Sequence, residues 1–285
     1  MDIQENIPLS YYTTIGLGGE ARYFVSVKSL EELQHALIFA KEKKISFFLL
    51  GRGSNTLFDD RGYNGLVILN RMNQCKIIDN QIQVDAGYSF ANLGMKTAKK
   101  GFSGLEFASG IPGSVGGAVF MNAGANGKST WDVLETITFI DEDRKLRKEE
   151  KTKFQSSYRF SSFQKTKSVI VSATFRLIKS SAAKDTYKKL LELRINSQPY
   201  GDKSAGCIFK NPTNEHAGAL IDSCKLKGLS VGKAKVSDVH ANFIVTEKGV
   251  SSQDIHKLIT LIKHEVFDKK KIMLEQEVRI VPYQS

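Results

Sequence analysis

Apolar and polar positions along the chain change period several times, and each change marks an element. In "ARYFVSVKSLEELQHALIFAKEKKISFFLLG" (21–51) a strand pattern gives way to helical spacing and then to a continuous apolar run. Ser29 and Glu32 make an S-x-x-E capping box, in which each side chain satisfies a backbone N–H of the first turn. Leu33, Leu37 and Ala40 follow at helical spacing, and "ISFFLL" suits a buried strand. The opening is therefore βαβ-like. "CKIIDNQIQVDAG" (75–87) sets an Asp-Asn turn between two alternating runs, which predicts a hairpin. "SFANLGMKTAKKG" (89–101) predicts a short helix stopped by Gly101.

After a glycine-rich loop at 109–127, strand patterns return at "ETITFIDED" and "KSVIVSATFRLI". "YKKLLELRINSQP" (187–199) reads as a helix ended by Pro199, a candidate linker. Beyond it the pattern predicts helices around 216–224 and 252–267, a strand at "HANFIVTEKG" (240–249) and a final strand at "EQEVRIVPY". The series predicts an α+β chain with mixed sheets, not a doubly wound alternation. At 285 residues it has room for two or three domains.

Charge adds a constraint without a decision. The chain carries 41 Lys and Arg against 30 Asp and Glu, a net +11, which invites a polyanion. The basic residues are interleaved with acids, as in "DEDRKLRKEEKTK" (141–153), and "DKKKI" (268–272) is too short for a basic arm. Aromatic residues do not alternate with Arg and Lys as a stacking platform for nucleic acid requires, so no nucleic-acid partner is expected. Nucleotide phosphates fit the surplus equally well. The N-terminus has no apolar signal core, and no apolar run approaches the ~20 residues that span a bilayer; a soluble, cytoplasmic protein is expected.

Two loops carry a stronger signal. "LLGRGSN" (49–55) follows an apolar strand, and "SGIPGSVGGAVFMNAGANG" (109–127) has six glycines among nineteen residues. Glycines let a backbone approach a ligand closely, and successive free N–H groups make a concave anion site. Neither loop has the Walker A or Rossmann spacing, so both common nucleotide folds are excluded.

"SAGCIFKNP" (204–212) places Cys207 between a glycine and an aromatic-containing turn. Cys75, Cys207 and Cys224 form no C-x-x-C pair, and the five histidines show no ligand spacing, so no metal centre is expected. By composition alone, Cys207 is a buried filler, a redox-active thiol or a catalytic group.

Six ordered blocks spanning nearly the whole chain settle the direction. "LLGRGSNTLFDDRGYNGLVI", "GLEFASGIPGSVGGAVFMNAGANG", "YRFSSF", "SAGCIFKNP", "HANFIV" and "LEQEVRI" resemble the UDP-N-acetylenolpyruvoylglucosamine reductases, flavoenzymes of the vanillyl-alcohol-oxidase-like (PCMH-type) FAD-binding fold. The resemblance implies two α/β FAD-binding subdomains, 1–70 (completed by 272–285) and 71–198, and a C-terminal α+β substrate domain, 199–271. It implies FAD on two walls, Gly51, Arg52, Gly53, Ser54 and Asn55 facing Ser109, Gly110, Ile111, Pro112, Gly113, Ser114, Gly116 and Gly117. Ile170, in the strand 169–175, would lie along the flavin end. The chain passes directly from the strand near 175 to the helix near 190, like the shorter subtype without a tyrosine-bearing loop.

The implied reaction reduces UDP-N-acetylglucosamine enolpyruvate to UDP-N-acetylmuramate for peptidoglycan. NADPH reduces the flavin and leaves; flavin N5 then gives hydride to the terminal enol-ether carbon, and the adjacent carbon takes a proton. Such a step needs cations or donors on the substrate carboxylate and a positioned acid. By resemblance Arg159 is the active-site arginine, Glu277 the active-site glutamate, and Cys207 stands where the family more often has a serine proton donor. Strand period cannot separate Glu277 from Glu275; the glutamate directly before "VR" selects Glu277. A thiol has a pKa of ~8.5 and releases a proton more readily than a hydroxyl, while a partly exposed thiolate is open to oxidation. Lys210 and Asn211 are expected at the substrate diphosphate or sugar. Tyr158, Arg194, Gln198, His240 and Asn242 are further lining candidates, although His240 equally suits a core or capping role. A monomer is expected. An FAD-dependent small-alcohol oxidase and a non-catalytic basic nucleotide-binding protein are the competing readings.

Overall fold

A computed structural model describes residues 1–284. The first region builds a four-stranded sheet from β1 (Gln4–Pro8), β2 (Glu20–Val27), β3 (Phe47–Leu50) and β5 (Tyr63–Asn70), with α1 (Leu30–Glu42) crossing between β2 and β3. The strand order is β1-β2-β5-β3, and β5 runs parallel to both β2 and β3. Both faces of the parallel part are covered, which is why β5 is an almost unbroken apolar run. The cap of α1 differs in detail from its sequence signature. Ser29 accepts from Glu32 N, but the Glu32 carboxylate reaches back to Lys28 N at 2.6 Å, one residue before the cap.

The second region is a five-stranded antiparallel sheet. Its strands are β6 (Cys75–Ile78), β7 (Gln81–Asp85), β8 (Leu134–Ile140), β9 (Leu146–Glu150) and β10 (Val169–Arg176), in the order β9-β8-β10-β7-β6. The predicted hairpin at 75–87 is β6–β7. Helices α2 (Phe90–Lys99) and α3 (Val115–Met121) pack into the core of this sheet. Strand β10 serves two cores at once: its side chains alternate over 169–171, and a register shift against β8 between Ile170 and Ser172 then turns Ala173 and Phe175 to the face opposite Val169 and Val171. Ile170, Ala173 and Phe175 join the core of their own sheet, while Val169 and Val171 join that of the first region.

The helix expected at 187–199 starts earlier, as α4 (Ala183–Ser197). It leads to a third unit, the sheet β11 (Ser204–Cys207), β12 (Ser230–Val231), β13 (Ala234–Val236) and β14 (Phe243–Thr246), ordered β11-β14-β13-β12. Helices α5 (Ala217–Ser223) and α6 (Ser252–Lys270) cover it, and Ile15, Leu17 and Leu57 from the N-terminal region enter its core. The predicted final strand at 275–283 is shorter than its pattern: only β15 (Arg279–Val281) forms, parallel to β4 (Thr56–Phe58). Glu275 and Glu277 precede it and do not share a strand face. Among the described residues no helix is long and apolar enough to cross a membrane.

Candidate functional site

A cavity of about 1140 Å³ runs along the seam where the three units meet. Its volume exceeds the roughly 300–1,000 Å³ that houses one drug-sized ligand, so it has room for a dinucleotide and part of a second molecule. Gly51, Arg52, Gly53, Ser54 and Asn55, the link between β3 and β4, line one side. Gly110, Ile111, Pro112, Gly113, Ser114, Gly116 and Gly117, at the start of α3, line another, and Ile170 of β10 is also in the lining. Ser109 is a correction. It is 1% exposed and outside the cavity, because its N–H turns back to Glu106 O at 3.1 Å.

Two glycines in these walls have different reasons to be glycine. Gly53 has φ +65, and a Cβ there would sit 2.1 Å from Tyr12 O, so the chain itself demands it. At Gly113 a Cβ would meet only Ser54 Oγ at 3.8 Å and Ile111 Cγ2 at 3.9 Å, which the protein alone would tolerate. The space a side chain would take there is open to the cavity.

At one end of the cavity three side chains from distant segments converge. Arg159 donates through Nε to Glu277 Oε1 at 2.7 Å, and the two side chains are only 19% and 13% exposed. Arg159 has φ +55, an uncommon conformation for a non-glycine residue, and Gln164 Nε2 holds its carbonyl at 3.1 Å. The Glu277 backbone is tied on both sides: its N–H donates to Ile208 O at 2.8 Å, and Asn55 Nδ2 donates to its carbonyl at 3.2 Å. One of the nucleotide-type loops therefore also fixes the acid.

Cys207 reaches the same end through a register shift between Ser204 and Cys207 in the β11–β14 ladder, at Gly206 with φ +75. An irregularity of this kind re-aims a side chain. The segment after it is clamped by Asn242, whose Oδ1 accepts from Phe209 N at 2.9 Å and whose Nδ2 donates to Phe209 O at 2.8 Å.

Burial dominates the electrostatics. It pushes the Cys207 thiol up to about 12, with the Glu277 charge adding to it and Arg159 and Arg194 opposing. At neutral pH Cys207 is therefore a thiol. Burial also raises Glu277 above the ordinary carboxylate range against the pull of Arg159 and Lys210. Arg194 is lowered by burial, and its Nη1 donates to an amide, Gln198 Oε1, at 3.3 Å. Arg194 and Gln198 both line the cavity. Arg159 has Glu277 as its partner and Arg194 has no carboxylate, a surplus of positive charge around Cys207 suited to an incoming anion.

The remaining candidates lie outside the lining. Lys210 pairs with Glu275 at 2.5 Å, a glutamate 72% exposed, so Glu275 and Glu277 have separate partners. Asn211 Oδ1 accepts from Ala217 N at 3.0 Å at the start of α5, and its own N–H donates to Tyr158 Oη at 3.2 Å. Tyr158 stacks against the Arg159 guanidinium, 4.9 Å from ring centre. Asn242 is a clamp, not a wall. His240 is a turn cap: its Nδ1 accepts from Asn242 N at 3.2 Å, its ring packs on Phe243, and burial lowers its pKa. Among the described residues no three His, Cys, Asp or Glu side chains cluster as a metal site.

Among the lining residues that the sequence pattern did not single out, two stand out. Arg279 lies with its guanidinium 5.3 Å from the Phe48 ring and 4.7 Å from the Phe120 ring, and burial lowers its pKa. Its spacing of two from Glu277 in "EVRI" was the available signal. Tyr200, in the turn after α4, is the other.

Comparisons with known proteins agree with this layout. Residues 21–148 match the family described as FAD binding domain, and residues 198–281 match UDP-N-acetylenolpyruvoylglucosamine reductase, C-terminal domain. A UDP-N-acetylenolpyruvoylglucosamine reductase of Protochlamydia amoebophila is 50% identical over 281 residues, covering 98% of this chain and 94% of the relative. That of Chlamydia muridarum is 45% identical over 99% of this chain and 95% of its own. The crystal structure of the Thermus caldophilus reductase superposes with a TM-score of 0.86 at 32% identity, covering 99% of this chain and all of the other. The fold is the PCMH-type FAD-binding fold with an added C-terminal α+β unit.

Proposed function

This chain belongs to the UDP-N-acetylenolpyruvoylglucosamine reductase family, and we propose that it makes UDP-N-acetylmuramate from UDP-N-acetylglucosamine enolpyruvate and NADPH, using Arg159, Cys207 and Glu277. FAD, held by loops 51–55 and 110–117, supplies the redox chemistry when bound; the space beside Gly113 and the volume of the cavity fit it. The carrying observation is the meeting of two guanidiniums, one carboxyl and one neutral thiol at one end of that cavity.

In this reading Arg159 takes the substrate carboxylate. Its hold strengthens as hydride reaches the terminal carbon and the double-bond electrons move toward that carboxylate. Glu277, raised by burial, is placed to share a proton with the developing enediolate oxygen. The Cys207 S–H then gives its proton to the adjacent carbon. The S–H bond breaks, the C–H bond forms, and the thiolate left behind is offset by Arg159 and Arg194 until solvent reprotonates it. A thiol near 12 is a weak acid, but an enediolate carbon is a far stronger base, so the transfer runs downhill. Because the resting thiol is neutral, the acid form is present in every molecule at pH 7.

The core clusters support units 1–70 with 272–285, 71–198 and 199–271 as the working division, with β10 and the residues near 15 and 57 crossing it. We expect a cytoplasmic monomer, checked by light scattering.

The test is NADPH consumption by the purified yellow protein. Oxidation that requires UDP-N-acetylglucosamine enolpyruvate supports the reading. Absence of flavin absorbance, or oxidation driven by oxygen alone at the same rate, overturns it.

A further inference from the structure

Tyr200 has a place that neither the core nor the proposed chemistry uses. Its side chain is 60% exposed, yet it belongs to the cavity lining. The turn that presents it is braced: Tyr200 N donates to Gln198 O at 2.7 Å and Asp202 N to Pro199 O at 3.3 Å. Next to it Gly201 has φ +99, and a Cβ there would meet nothing within 4 Å. The ring therefore stands on a defined turn beside open space.

The other aromatic side chains of the lining are already engaged. Phe48 and Phe120 hold the Arg279 guanidinium, Phe243 packs on His240, and Phe47 packs into the core under α1. Among the described residues Tyr200 makes no ring–ring or cation–ring pair. It shares the lining with Arg194, whose side chain has an amide rather than a carboxylate for company. A free ring beside an unneutralised guanidinium complements a flat heterocycle tethered to a pyrophosphate.

Resting on the function proposed above, we infer that Tyr200 is a positioning residue that stacks on the heterocycle of an exchanged ligand entering this cavity, with Arg194 facing its phosphates. Two ligands of the reaction carry that chemistry, the nicotinamide nucleotide of NADPH and the uridine diphosphate of the sugar substrate. A turn that supplies the ring from the protein's own surface also gives a chain without a tyrosine-bearing loop an aromatic cover at the mouth.

The experiment uses the FAD-loaded enzyme with Tyr200→Ala and Tyr200→Phe. KM and kcat are measured with NADPH varied at saturating sugar substrate, and with the sugar substrate varied at saturating NADPH. Tyr200→Ala is expected to raise at least one KM about tenfold, as removal of a stacking ring does, while kcat stays within about twofold. Tyr200→Phe keeps the ring and is expected to behave as wild type. A rise confined to NADPH assigns the ring to the nicotinamide nucleotide; a rise confined to the sugar substrate assigns it to uridine. The inference is overturned if both KM values stay within about twofold in the alanine variant, if phenylalanine behaves like alanine, or if the alanine variant loses flavin. The wild-type enzyme in the same assay reports separately on the function itself.

Discussion

The two ends of the cavity are built in opposite ways. The loop walls at 51–55 and 110–117 are local: each is a contiguous stretch, made largely of backbone and small residues. The end proposed to react is assembled from residues 159, 194, 207 and 277, carried by the tip of a short hairpin (Ser156–Ser157 paired with Phe160–Ser161), a helix, an irregular strand and a segment just before the last strand. Binding a cofactor backbone needs space and N–H groups, which one loop can supply. Matching a pKa to a proton transfer needs burial and opposing charges, which only long-range packing supplies. The two ends are joined at Asn55, a loop residue whose amide holds the Glu277 carbonyl.

If the ends are separable in function, damage to the reactive end should leave the cofactor in place. The largest expected effect is in Cys207→Ala. Bleaching of the flavin absorbance by NADPH should keep its rate, while its return on adding the enolpyruvyl substrate slows about 10²- to 10⁴-fold, the range for losing a general acid. Equal return rates in stopped flow would remove Cys207 as the donor. Arg159→Ala should lower kcat/KM about 10²- to 10³-fold with full flavin content, as loss of one preorganised charge donor does.

Gly113→Val probes the other end. Its backbone has room for a side chain, so the fold should survive, but the new methyl groups enter the ligand space. Flavin per protein, read from absorbance after desalting, should fall well below one. Retention of full flavin would break the contrast between the two walls.

A subtler expectation concerns pH. Raising an acid's pKa extends its protonated form to higher pH, so a Cys207 thiol near 12 stays protonated where an ordinary thiol at ~8.5 would ionise. The kcat/KM profile between pH 7 and 9.5 should therefore lack a fall near 8.5 that is missing from Cys207→Ser. Such a fall, present only in the cysteine enzyme, would show a thiol far less buried. The smallest effect is Glu275→Gln, whose exposed pair with Lys210 should matter by less than about twofold in kcat/KM.

Much of the scaffold was legible from local pattern. The S-x-x-E start of α1, the Asp-Asn hairpin and the apolar β3 are stretches whose period and punctuation decide their form with little help from the rest of the chain. The end of the chain was less so. Its alternation continued through Glu275 and Glu277, but those residues are held by Lys210 N, Ile208 O and Asn55, and a strand forms only from Arg279. At the site, motif position brought residues near the chemistry without saying which way they face. Ser109 faces inward, and Asn242 and His240 brace the cysteine segment from behind. Tyr200 lay hidden because a surface tyrosine in a turn carries no periodic signature.

Strand β10 has a consequence for how the protein comes apart. The two faces of one bulged strand complete the cores of two neighbouring sheets, so neither sheet can melt without exposing apolar surface that the strand buries in the other. The pair should lose amide-exchange protection together, as a single cooperative unit, even though a cofactor-sized slot runs between them.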